Sequence, residues 1–159
     1  MASQKYPLDL QIFENSSDIS NFLLDCPDGY VEGWFDNESL HIDGVTVTGE
    51  QHVGTGTYML MGAVATVMAE IRPSVETAHA SLINPYAVGL MRKTFGKAVF
   101  FFGDCMQQEP IVDDDEAVKI VSDRLELFTR NQDTDPGIYC VADLRAIDHS
   151  SWTHANIIK

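Results

Sequence analysis

A short glycine-rich turn stands directly before the longest apolar run of the chain, and it constrains the fold more than any other feature. Gly54, Thr55 and Gly56 precede an apolar run over residues 58–69 that contains no proline. A run that is apolar nearly all round predicts a buried helix, here over residues 57–71. The turn has two interpretations. It either makes a tight corner, or it leaves backbone N–H groups at a helix N-terminus as an anion site.

The segment before this turn, LHIDGVTV, changes its apolar alternation at Gly44. Leu40 and Ile42 are apolar at even positions, whereas Val45 and Val47 are apolar at odd positions. Because side chains on a strand alternate with a period of two, an inserted residue would explain the change. Glycine suits such a β-bulge where the bulge needs a positive φ. The alternative is a strand that passes from one buried face to two buried faces.

The remaining segments predict an α+β (mixed α/β) domain built round one sheet. Residues 16–26 read as a short capped helix, and residues 29–35 and 40–47 as a hairpin joined by a turn at 36–39. We expect further strands over residues 77–83, 98–102 and 137–144. Further helices are expected over residues 85–96, which begin with a proline, and 113–131, which begin with acids. The length of 159 residues indicates a single domain, residues 1–159.

The charge of the chain is strongly negative but unevenly distributed. The formal net charge is −14. Residues 1–50 hold ten acids and one base, residues 51–110 hold four of each, and residues 111–159 hold ten acids and five bases. This acidity argues against nucleic-acid binding, which needs positive charge to displace counterions. It is compatible with a basic partner protein or with a protein that imitates DNA. It is also compatible with a charge that only keeps the protein soluble.

The cysteines and the apolar runs indicate a cytoplasmic protein without a metal. Cys26, Cys105 and Cys140 are odd in number, widely spaced and without a CxxC pair. This pattern is typical of a reducing compartment and offers no zinc site. The longest apolar run is too short to span a bilayer, and no basic segment followed by an apolar one opens the chain. We therefore expect no membrane partner.

Two motifs resemble the GNAT N-acetyltransferase superfamily. Gln51-x-x-Gly54-x-Gly56, between the bulged strand and the apolar helix, is similar to that family's acyl-CoA pyrophosphate loop. The segment NPYAVGLMRKTFG is similar to the family's N-x-x-A-x-x-L-Y-x-K-x-G-F helix, and it matches at Asn84, Ala87, Leu90 and Lys93. The resemblance covers about residues 40–102.

The resemblance implies a fold, a co-substrate and a set of binding residues. The fold would be a twisted mixed sheet with flanking helices, splayed open at the bulge beside Gly44. The co-substrate would be acetyl-CoA, with its pyrophosphate on the N–H groups before and within the first helical turn. Backbone groups of the bulged strand would pair with its pantetheine amides. The implied acetyl-CoA-binding residues are Val45, Val47, Gln51, His52, Val53, Gly54, Thr55, Gly56, Thr57 and Asn84.

The chain departs from the family pattern at three places. Met91 occupies the position of the family's helix tyrosine, which protonates the leaving thiolate. The family's terminal Gly-Phe appears as Phe95-Gly96. The N-terminal region is also short for the family, with room for one hairpin rather than two or three strands and two helices. Cofactor binding is therefore better supported by the sequence than catalysis.

Candidate catalytic residues are chosen for their reach and for a pKa near neutrality. His41 and Asp43 lie on the bulged strand and are expected to share a face, and His41 needs no pKa shift to act as a base. Tyr86, at the start of the second helix, is a possible substitute for the missing acid. His79 and Ser81 on the next strand are secondary candidates. Each also has an ordinary interpretation as a surface or packing residue.

Two functions of different classes follow. The first is an acyl-CoA-dependent N-acyltransferase that moves an acetyl group to an amine or a basic protein by direct attack on the thioester. The alternative is a catalytically weak or inactive protein of the same fold, whose acidic surface binds a partner protein. An imitation of DNA is a third, weaker hypothesis. The chain is also a possible homodimer.

Overall fold

The computed structural model describes residues 7–16, 18–50, 54–82, 85–102, 110–111, 113–129 and 138–158. The strands are β1 Asp9–Glu14, β2 Ser20–Cys26, β3 Gly29–Phe35, β4 Ser39–Val47, β5 Thr77–Leu82, β6 Val99–Phe102, β7 Pro110–Ile111, β8 Ile138–Asp143 and β9 Asn156–Ile158. The α-helices are α1 Thr55–Thr66, α2 Pro85–Phe95 and α3 Asp114–Thr129. A π-helical turn, Val67–Ile71, continues α1, and a 3₁₀ turn spans Leu144–Ala146. No helix in the described ranges is both long and apolar enough to cross a membrane.

The chain forms two compact units, Met1–Ala78 with Leu144–Lys159, and His79–Asp143. In the first unit the strand order is β4-β3-β2-β1-β9. Strands β1 to β4 pair antiparallel, whereas β9 pairs parallel to β1. In the second unit the strands follow the order β7-β6-β8-β5. The mixed α+β class expected from the sequence is confirmed. The single domain and the splay beside Gly44 stay predictions.

The predicted helix over residues 16–26 is wrong, because this segment forms strand β2. Its side chains alternate with period two: Ser20, Phe22 and Leu24 are buried, while Asn21 and Asp25 are exposed. The Ser16 hydroxyl, expected to cap a helix, instead accepts the Ile19 N–H at 3.2 Å in a turn that leads into β2. Three consecutive apolar residues in this segment imitate a helical stripe, and pairing with strands on both sides decides the outcome.

The N-terminal region holds more structure than the single hairpin expected. Strands β1 and β2 form a first antiparallel pair with Leu10 opposite Leu24, and β3 and β4 extend it. Strand β9 was also not predicted, and its residues are exposed rather than patterned. Pairing with β1 therefore gives this C-terminal segment its extended form.

The β-bulge predicted from the change in alternation is confirmed. Glu32 pairs with Gly44 and Gly33 pairs with Ile42, so Asp43 has no partner in the β3–β4 ladder. The extra residue keeps Leu40, Ile42, Val45 and Val47 on the face that carries Phe35 and Val31. One apolar face therefore runs the length of β4.

The glycine that this bulge requires lies on the neighbouring strand. Gly44 has no positive φ, so the conformational reason expected for it is wrong. A Cβ on Gly33 would instead overlap the carbonyl oxygen of His41 and come within 2.8 Å of the Phe22 ring. The close approach of the bulged strand thus depends on a missing side chain at Gly33.

Helix α1 covers the apolar face of the first unit's sheet. It packs on β2, β3 and β4, and most of its residues are buried. A Cβ on Gly62 would overlap the side chain of Leu8. The Thr66 hydroxyl donates to the Gly62 carbonyl at 2.7 Å and accepts the Ala155 N–H at 2.7 Å. This bridge ties the C-terminal segment to the helix just before β9.

The other face of this sheet, which we call the open face, carries the side chains that alternate along each strand with those facing α1. These are Asp9, Gln11 and Phe13 of β1, Asn21, Leu23 and Asp25 of β2, Tyr30, Glu32 and Trp34 of β3, and His41 and Thr46 of β4, with Asp43 at the bulge. They are exposed or half-buried, in contrast to the residues under α1.

In the second unit an ion pair joins α2 to α3. Arg92 donates two hydrogen bonds to Asp114, each 2.9 Å, and its guanidinium lies 5.0 Å from the centre of the Phe100 ring. The hydrogen bonds from Arg92 lower the pKa of Asp114. The pair fixes α2 relative to the start of α3.

We expect Gly33→Ala to destabilise the protein by about 1–3 kcal/mol, because the new methyl group must displace backbone and an aromatic ring. The matched control is Gly44→Ala, whose Cβ would meet only the flexible Glu32 carboxylate at 3.3 Å. It should change stability by less than about 0.5 kcal/mol. Urea unfolding of the two variants checks this, and equal losses would contradict the role given to Gly33.

Candidate functional site

The N-terminus of α1 is an open helix end made by a left-handed glycine. Gly54 caps the helix with φ 89°, and its carbonyl accepts the Tyr58 N–H at 3.0 Å. Among the described residues, no side chain caps this end, and its first turn contains no acid. The N–H groups of the first turn have no partner within a helix and carry its positive partial charge.

The structure supports the first interpretation of the glycine-rich turn, a tight corner at Gly54, while the anion site stays a prediction. A φ of 89° is a conformation that side-chain-bearing residues rarely adopt, so the corner requires Gly54. The same corner leaves Gly54 exposed and the start of α1 without a side-chain cap. An anionic group can approach there without displacing a capping side chain.

The end of β4 lies beside this helix start. Val47 pairs with Gly29, and a Cβ on Gly29 would lie 3.0 Å from the Met59 methyl group of α1. The Met59 side chain, from the second turn of α1, thus lies close to the rung that joins Gly29 to Val47 at the end of the bulged strand. The binding roles expected for Val45, Val47, Gly54, Thr55, Gly56 and Thr57 stay predictions. Four further expected residues lie outside the described ranges: Gln51, His52, Val53 and Asn84.

His41 is held as a flat ring against Trp34. The two ring centres are 3.8 Å apart with an interplanar angle of 4°. Burial lowers the pKa of His41 below its ordinary value of 6.5, and the carboxylates of Asp36 and Asp43 oppose that shift. The imidazole is therefore neutral at pH 7 and able to accept a proton.

Asp43 is exposed at the bulge and lies on the same open face as His41. It borders a groove of about 270 Å³, together with Glu32, Asn21 and Leu23. Both base candidates expected from the sequence therefore lie on the sheet face turned away from α1.

The second unit holds the candidates expected on α2. Tyr86 is 71% exposed in the first turn, whereas Met91 is 2% exposed in the core with Val88 and Phe95. A tyrosine in place of Met91 would have to bury its hydroxyl among apolar side chains, which is costly. Met91→Tyr would therefore test the packing of α2 before it tested the chemistry.

A buried hydrogen bond in the second unit was missed by the sequence reasoning. The Nδ1 atom of His79 lies 2.6 Å from the hydroxyl of Tyr139, and His79 is 8% exposed. Tyr139 occupies an alternate position on β8 between the buried Ile138 and Cys140. A tyrosine on the less buried side of an otherwise apolar strand was the available signal. Ser81, the other secondary candidate, is exposed.

Cys140 offers no nucleophile. Burial raises the pKa of its thiol to about 12, against a small opposing effect from Arg92. The thiolate is therefore almost absent at neutral pH.

None of the protein-family models matches this chain, and no curated protein sequence does. Three solved acetyltransferases are similar in structure. Nourseothricin acetyltransferase shows 15% identity and a TM-score of 0.45, over 82% of this chain and 68% of that chain. Spermidine N-acetyltransferase from Vibrio cholerae, in complex with CoA and spermine, shows 11% identity and a TM-score of 0.44, over 82% and 69%. A spermidine N-acetyltransferase chimera from Vibrio cholerae and hSSAT shows 10% identity and a TM-score of 0.41, over 82% of this chain and 70% of that chain.

At 10–15% identity the likeness concerns the fold alone.

We expect His41 to titrate below pH 6.5 in an NMR experiment that follows its ring protons. The unfolded chain binds this proton more readily than the folded one, so stability falls as the pH drops from 6.5 through the lower folded pKa. His41→Phe keeps the stacking on Trp34 and should remove this contribution to the pH dependence. A titration at or above 6.5 would show that the two carboxylates outweigh burial.

Proposed function

We propose that this protein is an acyl-CoA-dependent N-acyltransferase that moves an acetyl group to an amine. The observation that carries the proposal is the uncapped, left-handed Gly54 corner at the start of α1, beside the end of a bulged strand. An open helix N-terminus suits a pyrophosphate, because its N–H groups and partial charge both favour an anion.

The chain's own residues have three tasks in such a reaction. The first turn of α1 would hold the diphosphate, and the last residues of β4 would offer backbone groups to the extended pantetheine. Acetyl-CoA, as co-substrate, supplies the activated acetyl group. The attacking amine must lose a proton as its nitrogen bonds to the acetyl carbon and the carbon–sulfur bond breaks.

His41 is the better candidate to take that proton. It is neutral at pH 7 because burial lowers its pKa, and it is held in one orientation by Trp34. Asp43, the alternative base, is exposed at the bulge. The departing thiolate has a pKa near that of a free thiol, about 8.5, so it can leave with little help from a positioned acid.

A second candidate function is a binding module that keeps the fold without fast chemistry. Specific observations favour it: Met91 lies buried where a family tyrosine is expected, and the open face carries exposed acids such as Asp25, Glu32 and Asp43. In this function a basic partner protein would bind the open face.

Acetyl-CoA at about 100 times its Kd should stabilise the protein by roughly 2.7 kcal/mol. Thr57→Glu should abolish this effect, because a carboxylate in the first turn of α1 repels the diphosphate. The same acid should leave the fold unchanged or stabilise it by about 0.3–1 kcal/mol through the helix dipole. Thr57→Gln is the neutral control and should retain binding. Thermal unfolding with and without the ligand measures both effects.

No stabilisation of the parent by millimolar acetyl-CoA would refute the co-substrate. Equal stabilisation of the parent and Thr57→Glu would place any bound acetyl-CoA away from α1.

His41→Ala should lower kcat by about 10²- to 10⁴-fold, the usual contribution of a positioned base, and leave the affinity for acetyl-CoA nearly unchanged. Asp43→Asn is the comparison variant, because Asp43 is the alternative candidate for the base. The assay follows CoA release with small amines and with lysine-rich peptides. Binding of acetyl-CoA without release above the buffer rate for any acceptor would favour the binding module.

A further inference from the structure

The open face of the first unit carries acids that repel one another. Asp9 and Asp25 are directly opposite across β1 and β2, where like charges are destabilising. One rung further along, Glu32 pairs with Gly44 beside the exposed Asp43. The fold therefore concentrates four carboxylates on a surface where they gain nothing from each other.

The cations described in this unit are engaged elsewhere. Arg72 donates to Asn37 and stacks 5.3 Å from the centre of the Phe35 ring, and Arg145 pairs with Glu76 at 3.5 Å. Within the described residues, Asp9, Asp25, Glu32 and Asp43 form no ion pair with Lys or Arg. The charge on the open face is thus uncompensated by the first unit's described arginines.

Apolar side chains lie beside these acids on the open face. Phe13 is 51% exposed, and it borders the groove with Leu23, Glu32 and Asp43. Ile158, whose neighbour in the β1–β9 register is Gln11, is 44% exposed. A partner for this face needs both positive charge and apolar surface.

We propose that the open face docks a lysine-rich segment of another protein, in extended conformation. Asp25 and Glu32 lie on successive rungs of the same face, which are about 6.8 Å apart along the strand direction. Alternate side chains of an extended segment have the same spacing, so a Lys-x-Lys sequence presents one ammonium to each rung.

The chemistry of the groove fits a lysine side chain. Its methylene chain can lie on Phe13 and Leu23, while its ammonium reaches the carboxylates of Glu32 and Asp43. A free polyamine carries the same ammonium and methylene groups, so spermine is the competitor in the test. The spacing of the rungs favours a polypeptide, because it matches the alternate side chains of an extended segment. This docking rests on the second candidate function, the binding module, and specifies the partner that its open face takes. It requires neither acetyl-CoA nor catalysis, so its failure is distinguishable from failure of the transferase.

The test measures binding of a fluorescent twelve-residue peptide with alternating lysine and threonine to the full chain at low salt, by anisotropy. The double variant Asp25→Asn with Glu32→Gln should weaken binding about tenfold, since exposed ion pairs each contribute up to about 1 kcal/mol. Its thermal stability should stay equal or rise, because the repulsion with Asp9 is relieved. Weaker peptide binding with equal or higher thermal stability would show that docking is lost while the fold is kept.

The matched control is Glu116→Gln with Asp123→Asn, which removes the same charge from exposed positions on α3. It should leave binding nearly unchanged. Phe13→Ser should weaken peptide binding without altering the charge. Equal losses in the control variant would show diffuse attraction and overturn the proposal. Full competition by spermine, together with no effect of Phe13→Ser, would show a small polycation site and also overturn it.

Discussion

The contact between Gly33 and the bulged strand sets the arrangement of the first unit. Strand β4 approaches β3 so closely at the bulge that no side chain fits at Gly33. At this point β4 contains one extra residue, Asp43. The insertion returns Val45 and Val47 to the face of Leu40 and Ile42. Without the insertion, half of β4 would turn its valines to the open face, and α1 would lose the apolar surface on which it packs.

The core elements could be predicted because their signals are local. The apolar run of α1, the proline at the start of α2 and the acids at the start of α3 each identify a helix from within the segment. The bulge was also predictable, since its alternation changes at a known residue. The need for a glycine at position 33 could not be predicted, because the overlap there involves an atom of the neighbouring strand, the His41 carbonyl oxygen.

The misread parts depend on partners that are distant in sequence. Phe22, Leu23 and Leu24 suggest a helix when read alone, but β1 and β3 pair on either side of them and make a strand. The hydrogen bond between His79 and Tyr139 joins residues that are 60 positions apart, so neither is distinctive in its own segment. The acetyl-CoA-binding residues were predicted from a sequence motif. Their contacts depend on where acetyl-CoA binds, and the spacing of residues in the sequence does not give that position.

The open face gives the first unit its chemical character. Its described residues place one α-helix, α1, on one face of the sheet and none on the open face. An uncovered sheet face with exposed Phe13 and Ile158 would ordinarily invite self-association, which acids on the same face oppose by repelling an identical copy. In the docking proposed above, the acids that repel a second copy would attract a basic segment. The same charge would then act in two ways on this face, against self-association and in favour of basic partners.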